Sequence, residues 1–150
     1  MPKGLAKIKY GKIIAFSCAF RYFLVMIYGI GVDIVKIERF KRALDRWGDR
    51  LSTRVFTPQE LSICNTKAQP SRHLALRFAA KEAFLKALGI GMFQGVTWTE
   101  IEIINDPLGR PHMTVRGEAE KICQEKGITE IFVSISHEAE YGVAHVLLEV

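Results

Sequence analysis

Paired cysteines are missing. Cys18, Cys64 and Cys123 are three in number, far apart and without a CxxC spacing, which argues against a disulfide framework or a zinc ligand set and fits a reducing cytoplasm. His73, His112 and His145 show no metal-ligand spacing either. No GxxxxGK[ST] phosphate loop occurs, and Gly29-Ile30-Gly31 is too short for a dinucleotide fingerprint, so any nucleotide must be held another way. Internal repeats and low-complexity segments are absent as well.

A surplus of charge is also missing from most of the chain. The formal charge of +5 comes from residues 1–25, where Lys3, Lys7, Lys9, Lys12 and Arg21 stand without an acid; five of 21 basic residues removed leaves sixteen against sixteen acidic ones. Global charge therefore gives no argument for nucleic acid. The apolar run Ile13–Phe20 follows lysines as a secretory signal would, but Arg21 interrupts it, no small-residue cleavage site follows, and it is too short to cross a bilayer. Met26 precedes a strand-like segment, so residues 1–25 are read as a dispensable extension and 26–150 as the domain. With 150 residues, 49% hydrophobic and 25% charged, the chain suits one globular domain that needs no structural metal.

The strand at Ile27–Val35 places Ile30, Val32 and Ile34 on one face and Asp33 on the other. A helix over 36–47 follows, stopped by Gly48 and carrying Arg39, Arg42 and Arg46 as one stripe. Thr57-Pro58-Gln59-Glu60 is a capping box that opens a short helix to about Asn65. Ser71 is expected to cap an Ala-rich central helix ending at Gly89, before a flexible loop over 89–95. Strands at 97–104 and 110–115 flank an Asn105–Gly109 turn, a helix covers 118–126, and a hairpin pairs 131–136 with 141–148 around His137–Glu140. The order implies an α+β fold, an antiparallel sheet with helices packed on one side.

Two acids stand in apolar surroundings, Asp33 in the first strand and Glu82 in the central helix. Such acids need a partner, and two carboxylates with waters and a ligand's phosphates are a common way to hold Mg²⁺. Lys86, one turn beyond Glu82, would set a phosphate cation beside the metal, although a plain surface Glu82–Lys86 ion pair has the same spacing. The arginine stripe is either a solvated face or a docking surface for an acidic partner. His137, next to Ser136, could bond a phosphate or move a proton.

Ile30-Gly31-Val32-Asp33-Ile34-Val35, Arg77–Ala87 (RFAAKEAFLKA) and Val133-Ser134-Ile135-Ser136-His137, with Gly109-Arg110-Pro111, resemble the holo-acyl-carrier-protein synthases, the small bacterial type of 4′-phosphopantetheinyl transferase. The resemblance runs from about Met26 to Val150. It implies transfer of phosphopantetheine from coenzyme A to a serine of apo-acyl-carrier protein in fatty acid biosynthesis, with release of adenosine 3′,5′-bisphosphate. By matching positions, Asp33 and Glu82 would hold Mg²⁺ and Lys86 would share the diphosphate charge. Arg77, Gly109, Arg110, Pro111, Ser136 and His137 would contact the coenzyme, and Arg39, Arg42 and Arg46 the carrier protein. The base is Glu82 or a metal-associated water. The resemblance also implies a homotrimer with active sites between subunits. A non-catalytic module for acidic proteins and a Mg²⁺-dependent phosphohydrolase are the competing readings. No partner among nucleic acids or membranes is expected.

Overall fold

The computed structural model describes residues 26–91 and 94–150, so the expectations for residues 1–25 lie outside the described residues. The elements are β1 (Ile27–Lys36), α1 (Ile37–Trp47), α2 (Asp49–Val55), α3 (Pro58–Asn65), α4 (Pro70–Leu88), β2 (Ile101–Asn105), β3 (Pro111–Val115), α5 (Gly117–Glu125), β4 (Glu130–Glu138) and β5 (Tyr141–Glu149). The strands are antiparallel throughout, as expected, but form two sheets: β1-β5-β4, and a separate β2-β3 hairpin.

Several boundaries differ from the sequence reading for local reasons. Gly48, at φ 50°, ends α1 and at once begins α2, a helix without a periodic signal long enough to see in advance. Helix α4 starts at Pro70, whose missing N–H costs nothing in a first turn, and not from a cap at Ser71. Glu100 Oε2 accepts from Thr97 N, curling 98–100 into a 3₁₀ turn, so β2 begins only at Ile101. The Thr57 capping box forms as read, with Glu60 N donating to Thr57 Oγ1 at 3.2 Å.

Helix α4 lies across the inner face of the three-stranded sheet. Its Ala79, Ala80, Ala83 and Ala87 are buried against Ala144, Val146 and Leu148 of β5. The inner face of β1 carries Gly29 and Gly31, and a Cβ on Gly31 would collide with the Ala83 carbonyl and stand 2.6 Å from Ala87 N. Here the GxG spacing serves backbone approach between strand and helix. A second core cluster, Phe40, Val55, Phe56, Cys64, Leu74 and Ala75, seats α1, α2 and α3 against the first half of α4.

Among the described residues nothing covers the outer sheet face. Ile30, Val32 and Ile34 of β1 are 56%, 55% and 67% exposed, joined by Phe132 of β4 and Val143 of β5. Among the described residues no helix is long and apolar enough to cross a membrane.

Candidate active site

Helix α4 bears two polar stripes, and its rotation decides which becomes the site. Arg77 and Lys81, at i and i+4, point into the protein and are 5% and 0% exposed. Lys81 Nζ donates to Glu60 Oε2 at 2.7 Å, to Val55 O at 2.8 Å and to Trp98 O at 3.0 Å. Glu60 also accepts from Thr57 N and Ile103 N, so this buried pair is fully hydrogen-bonded. Burial pushes the Lys81 ammonium below its ordinary pKa, and Glu60 opposes that shift. Lys81, next to Glu82 in the sequence, is thus part of the scaffold.

Glu82 and Lys86 form the other stripe, facing β1, with the apolar Phe78 one turn earlier against Phe40 and Trp98. Lys86 Nζ donates to Asp33 Oδ1 at 2.7 Å and to Val32 O at 3.1 Å, and the Asp33 side chain is only 17% exposed. Lys86 therefore reaches Asp33 across the strand–helix junction. Burial raises the Glu82 pKa, the Asp33 carboxylate raises it further, and Lys86 partly offsets both. Asp33, Glu82, Lys36, Arg39, Phe78 and Tyr141 line a cleft of about 460 Å³. Lys36, Phe78 and Tyr141 were missed in the sequence, although Phe78 stands one turn before Glu82 and that spacing could have found it.

A second polar group gathers around the first half of α4. Strand β4 runs on to Glu138, so His137 is not at a hairpin tip but pairs with Gly142 inside the sheet. Gly142 packs against Leu76, which puts His137 on the α4 side, whereas the preceding Ser136 faces outward with Ile34 and Val143. Burial, and then the neighbouring Arg72, Arg77 and Lys67 cations, depress the His73 pKa. The Asp106–Arg110 turn is exposed at the end of the β2-β3 hairpin. Arg77 does not reach into the solvent here: it donates to Ile103 O, His73 O and Asn105 Oδ1, which argues against direct coenzyme contact.

Residues 29–144 match the 4′-phosphopantetheinyl transferase superfamily. The holo-[acyl-carrier-protein] synthase of Geotalea daltonii is 52% identical over 124 residues, covering 83% of this chain and 99% of that protein. The synthase of Geobacter sulfurreducens is 49% identical, with 83% and 98% covered. Among solved structures, the Neisseria meningitidis synthase superposes with a TM-score of 0.78 at 39% identity, covering 83% of this chain and all of that one. The chain belongs to the holo-[acyl-carrier-protein] synthases. The Helicobacter pylori member, solved in complex with coenzyme A, has a TM-score of 0.70 at 32% identity, with 79% and 98% covered.

Within a synthase of this family, the arginines of α1 acquire meaning from their placement. Arg39, Arg42 and Arg46 are all exposed, and among the described residues none makes an ion pair. Arg39 belongs to the stripe and to the cleft wall at once. Arg46 stacks over the half-exposed Trp47 ring at 5.0 Å.

Proposed function

We propose that the cleft lined by Asp33 and Glu82, with Lys86 bonded to Asp33 beside it, is where this protein carries out its family's reaction. The protein is a holo-[acyl-carrier-protein] synthase, transferring the phosphopantetheine group from coenzyme A to acyl-carrier protein. The observation that carries the placement is that two half-buried carboxylates, Asp33 and Glu82, line one cleft, where Asp33 helps burial to raise the Glu82 pKa. Two neighbouring oxygen donors that repel each other suit a hard divalent cation, and Asp33 and Glu82 would hold Mg²⁺. Held there, Mg²⁺ would supply neutralisation of the diphosphate and of charge on the leaving oxygen.

Lys86, half-exposed beside Asp33, binds the diphosphate as a point charge. The carrier serine hydroxyl attacks the β-phosphorus; its new O–P bond replaces the bond to adenosine 3′,5′-bisphosphate, and its proton passes to Glu82 or to cleft water. Arg39, Arg42 and Arg46 dock the acidic carrier protein, with Arg39 joining docking face to cleft. Ser136, His137, Gly109, Arg110 and Pro111 contact the coenzyme.

The second polar group lies toward the opposite end of α4 from Lys86, about 20 Å from Lys86 to His73 at 1.5 Å per residue. One coenzyme served by both groups is best accommodated between neighbouring subunits, as in a homotrimer. The apolar face of the sheet, left exposed by the described residues, supports such an assembly, since contiguous exposed apolar surface marks interaction sites. Ser136, on that outer face, would then stand at the subunit boundary. The buried thiols of Cys64 and Cys123, free in the structure, support a reducing cytoplasm.

The test is intact-protein mass spectrometry of apo-acyl-carrier protein incubated with coenzyme A, Mg²⁺ and either the full chain or residues 26–150. Both should add one phosphopantetheine group, and Glu82→Gln should add none. Full transfer by Glu82→Gln would refute the metal site. Loss of transfer by residues 26–150 alone would show the extension to be required.

A further inference from the structure

The mechanism leaves Arg77 without a task, and its hydrogen bonds give it one. Its guanidinium donates through Nη2 to Asn105 Oδ1 at 3.0 Å, and Asn105 Nδ2 donates to Gly109 O at 2.8 Å. Only one orientation of the amide satisfies both partners, because a guanidinium can only donate and a carbonyl only accept. Arg77 is itself immobilised by Ile103 O at 3.0 Å and His73 O at 3.3 Å. A chain of hydrogen bonds thus runs from the middle of α4, one turn before Lys81, to the exposed tip of the β2-β3 hairpin.

The tip is built to be held. Asp106 Oδ1 accepts from Leu108 N and Arg110 N, both at 2.9 Å, and Gly109 takes φ 89°, a conformation open to glycine. Asp106 Oδ2 meets His112 Nε2 at 3.3 Å. These bonds set the shape of the turn but not its direction relative to the helix. Asn105 is what ties it to α4. The Arg110 side chain, by contrast, has no hydrogen-bond or ion-pair partner among the described residues.

We propose that Arg77 is a positioning residue which, through Asn105, aims the 106–110 turn so that Arg110 meets a phosphate of the coenzyme. The proposal rests on the reading of that turn as a coenzyme contact. It makes α4 the common reference for both ends of the substrate, with Glu82 and Lys86 at the diphosphate and Arg77 acting on the turn.

Asn105 is the position to change, because Arg77 is buried and its removal threatens the fold. Asn105→Asp keeps an acceptor for Arg77 and removes the donor to Gly109 O. The measurement is steady-state kinetics of the full-length enzyme at saturating carrier protein, with thermal midpoints alongside. Asn105→Asp should raise KM for coenzyme A about fivefold, the scale of one hydrogen bond, and leave kcat and the midpoint close to wild type. Arg110→Ala should raise KM at least as much, and the double variant no more than Arg110→Ala alone. If Arg110→Ala raises KM but Asn105→Asp does not, or if the two effects add in full, the positioning role is wrong and the reading of the turn survives. An unchanged KM in Arg110→Ala would remove both.

Discussion

Gly31→Ala is the sharpest test of how the site is held, because the added methyl meets backbone and not a yielding side chain. The new Cβ would overlap the Ala83 carbonyl, lie 2.9 Å from its carbon and stand 2.6 Å from Ala87 N. Ordinary carbon contacts begin near about 3.5 Å, so α4 must withdraw from β1 by roughly 1 Å. Overpacking of this kind costs about 2 kcal/mol, or roughly 8 °C in Tm for a chain of this size. The site suffers more than the fold. Asp33 lies two residues from Gly31 and Glu82 directly precedes Ala83, so the withdrawal opens the gap between the two carboxylates. A misplacement of about 1 Å can lower turnover on the order of 100-fold. Thermal unfolding and phosphopantetheine transfer under varied Mg²⁺ would measure both effects, with the Mg²⁺ requirement expected to rise. A Gly31→Ala protein with unchanged Tm and unchanged Mg²⁺ dependence would refute the close-approach argument.

Lys81→Ala should destabilise by about 3–5 kcal/mol in chemical denaturation, since it strands the Glu60 carboxylate inside the protein; a loss under about 1 kcal/mol would show the pair to be dispensable. The metal-free protein should respond to pH through Glu82. Because its pKa is raised in the folded state, the stabilisation it gives is full below the ordinary carboxylate range and is lost as pH rises through the raised value, so Glu82→Gln should gain in Tm relative to wild type as pH climbs toward neutrality. Cys64 and Cys123, whose thiol pKa values burial raises, should resist alkylation in the native protein and react after unfolding, as peptide mapping would show. If the sheet face is the proposed subunit interface, Ile34→Asp should give monomers in sedimentation velocity where the wild type gives trimers, while leaving each subunit folded, because Ile34 is 67% exposed.

The elements with dense local signals were legible in advance. Thr57-Pro58-Gln59-Glu60 carries its own start instruction, and the Ala-rich segment before Gly89 could hardly be other than a helix. Asp33 and Glu82 stood out as acids among apolar residues, and the fold brings them to one cleft. What sequence alone concealed was direction. Lys81, Glu82 and Lys86 lie close together along the chain, yet a helix sends Lys81 to Glu60, Glu82 to the cleft and Lys86 to Asp33 beside it. Arg77 carries the charge suited to a phosphate and spends it on Asn105 and two carbonyls. The division into two sheets was equally hidden, because pairing depends on contacts far apart in sequence, and the turn after β2 closes its hairpin whether or not a third strand joins.

The Glu60–Lys81 pair also works as a key for α4. One residue of rotation about the helix axis, about 100°, would carry the Lys81 ammonium away from its three acceptors and leave Glu60 sealed in without a cation. An all-alanine and leucine inner stripe would tolerate several neighbouring settings with similar packing. The lock admits a single angle. At that angle Glu82 and Lys86 face Asp33, so a contact that touches no substrate decides whether the helix arrives with its chemistry aimed at the cleft.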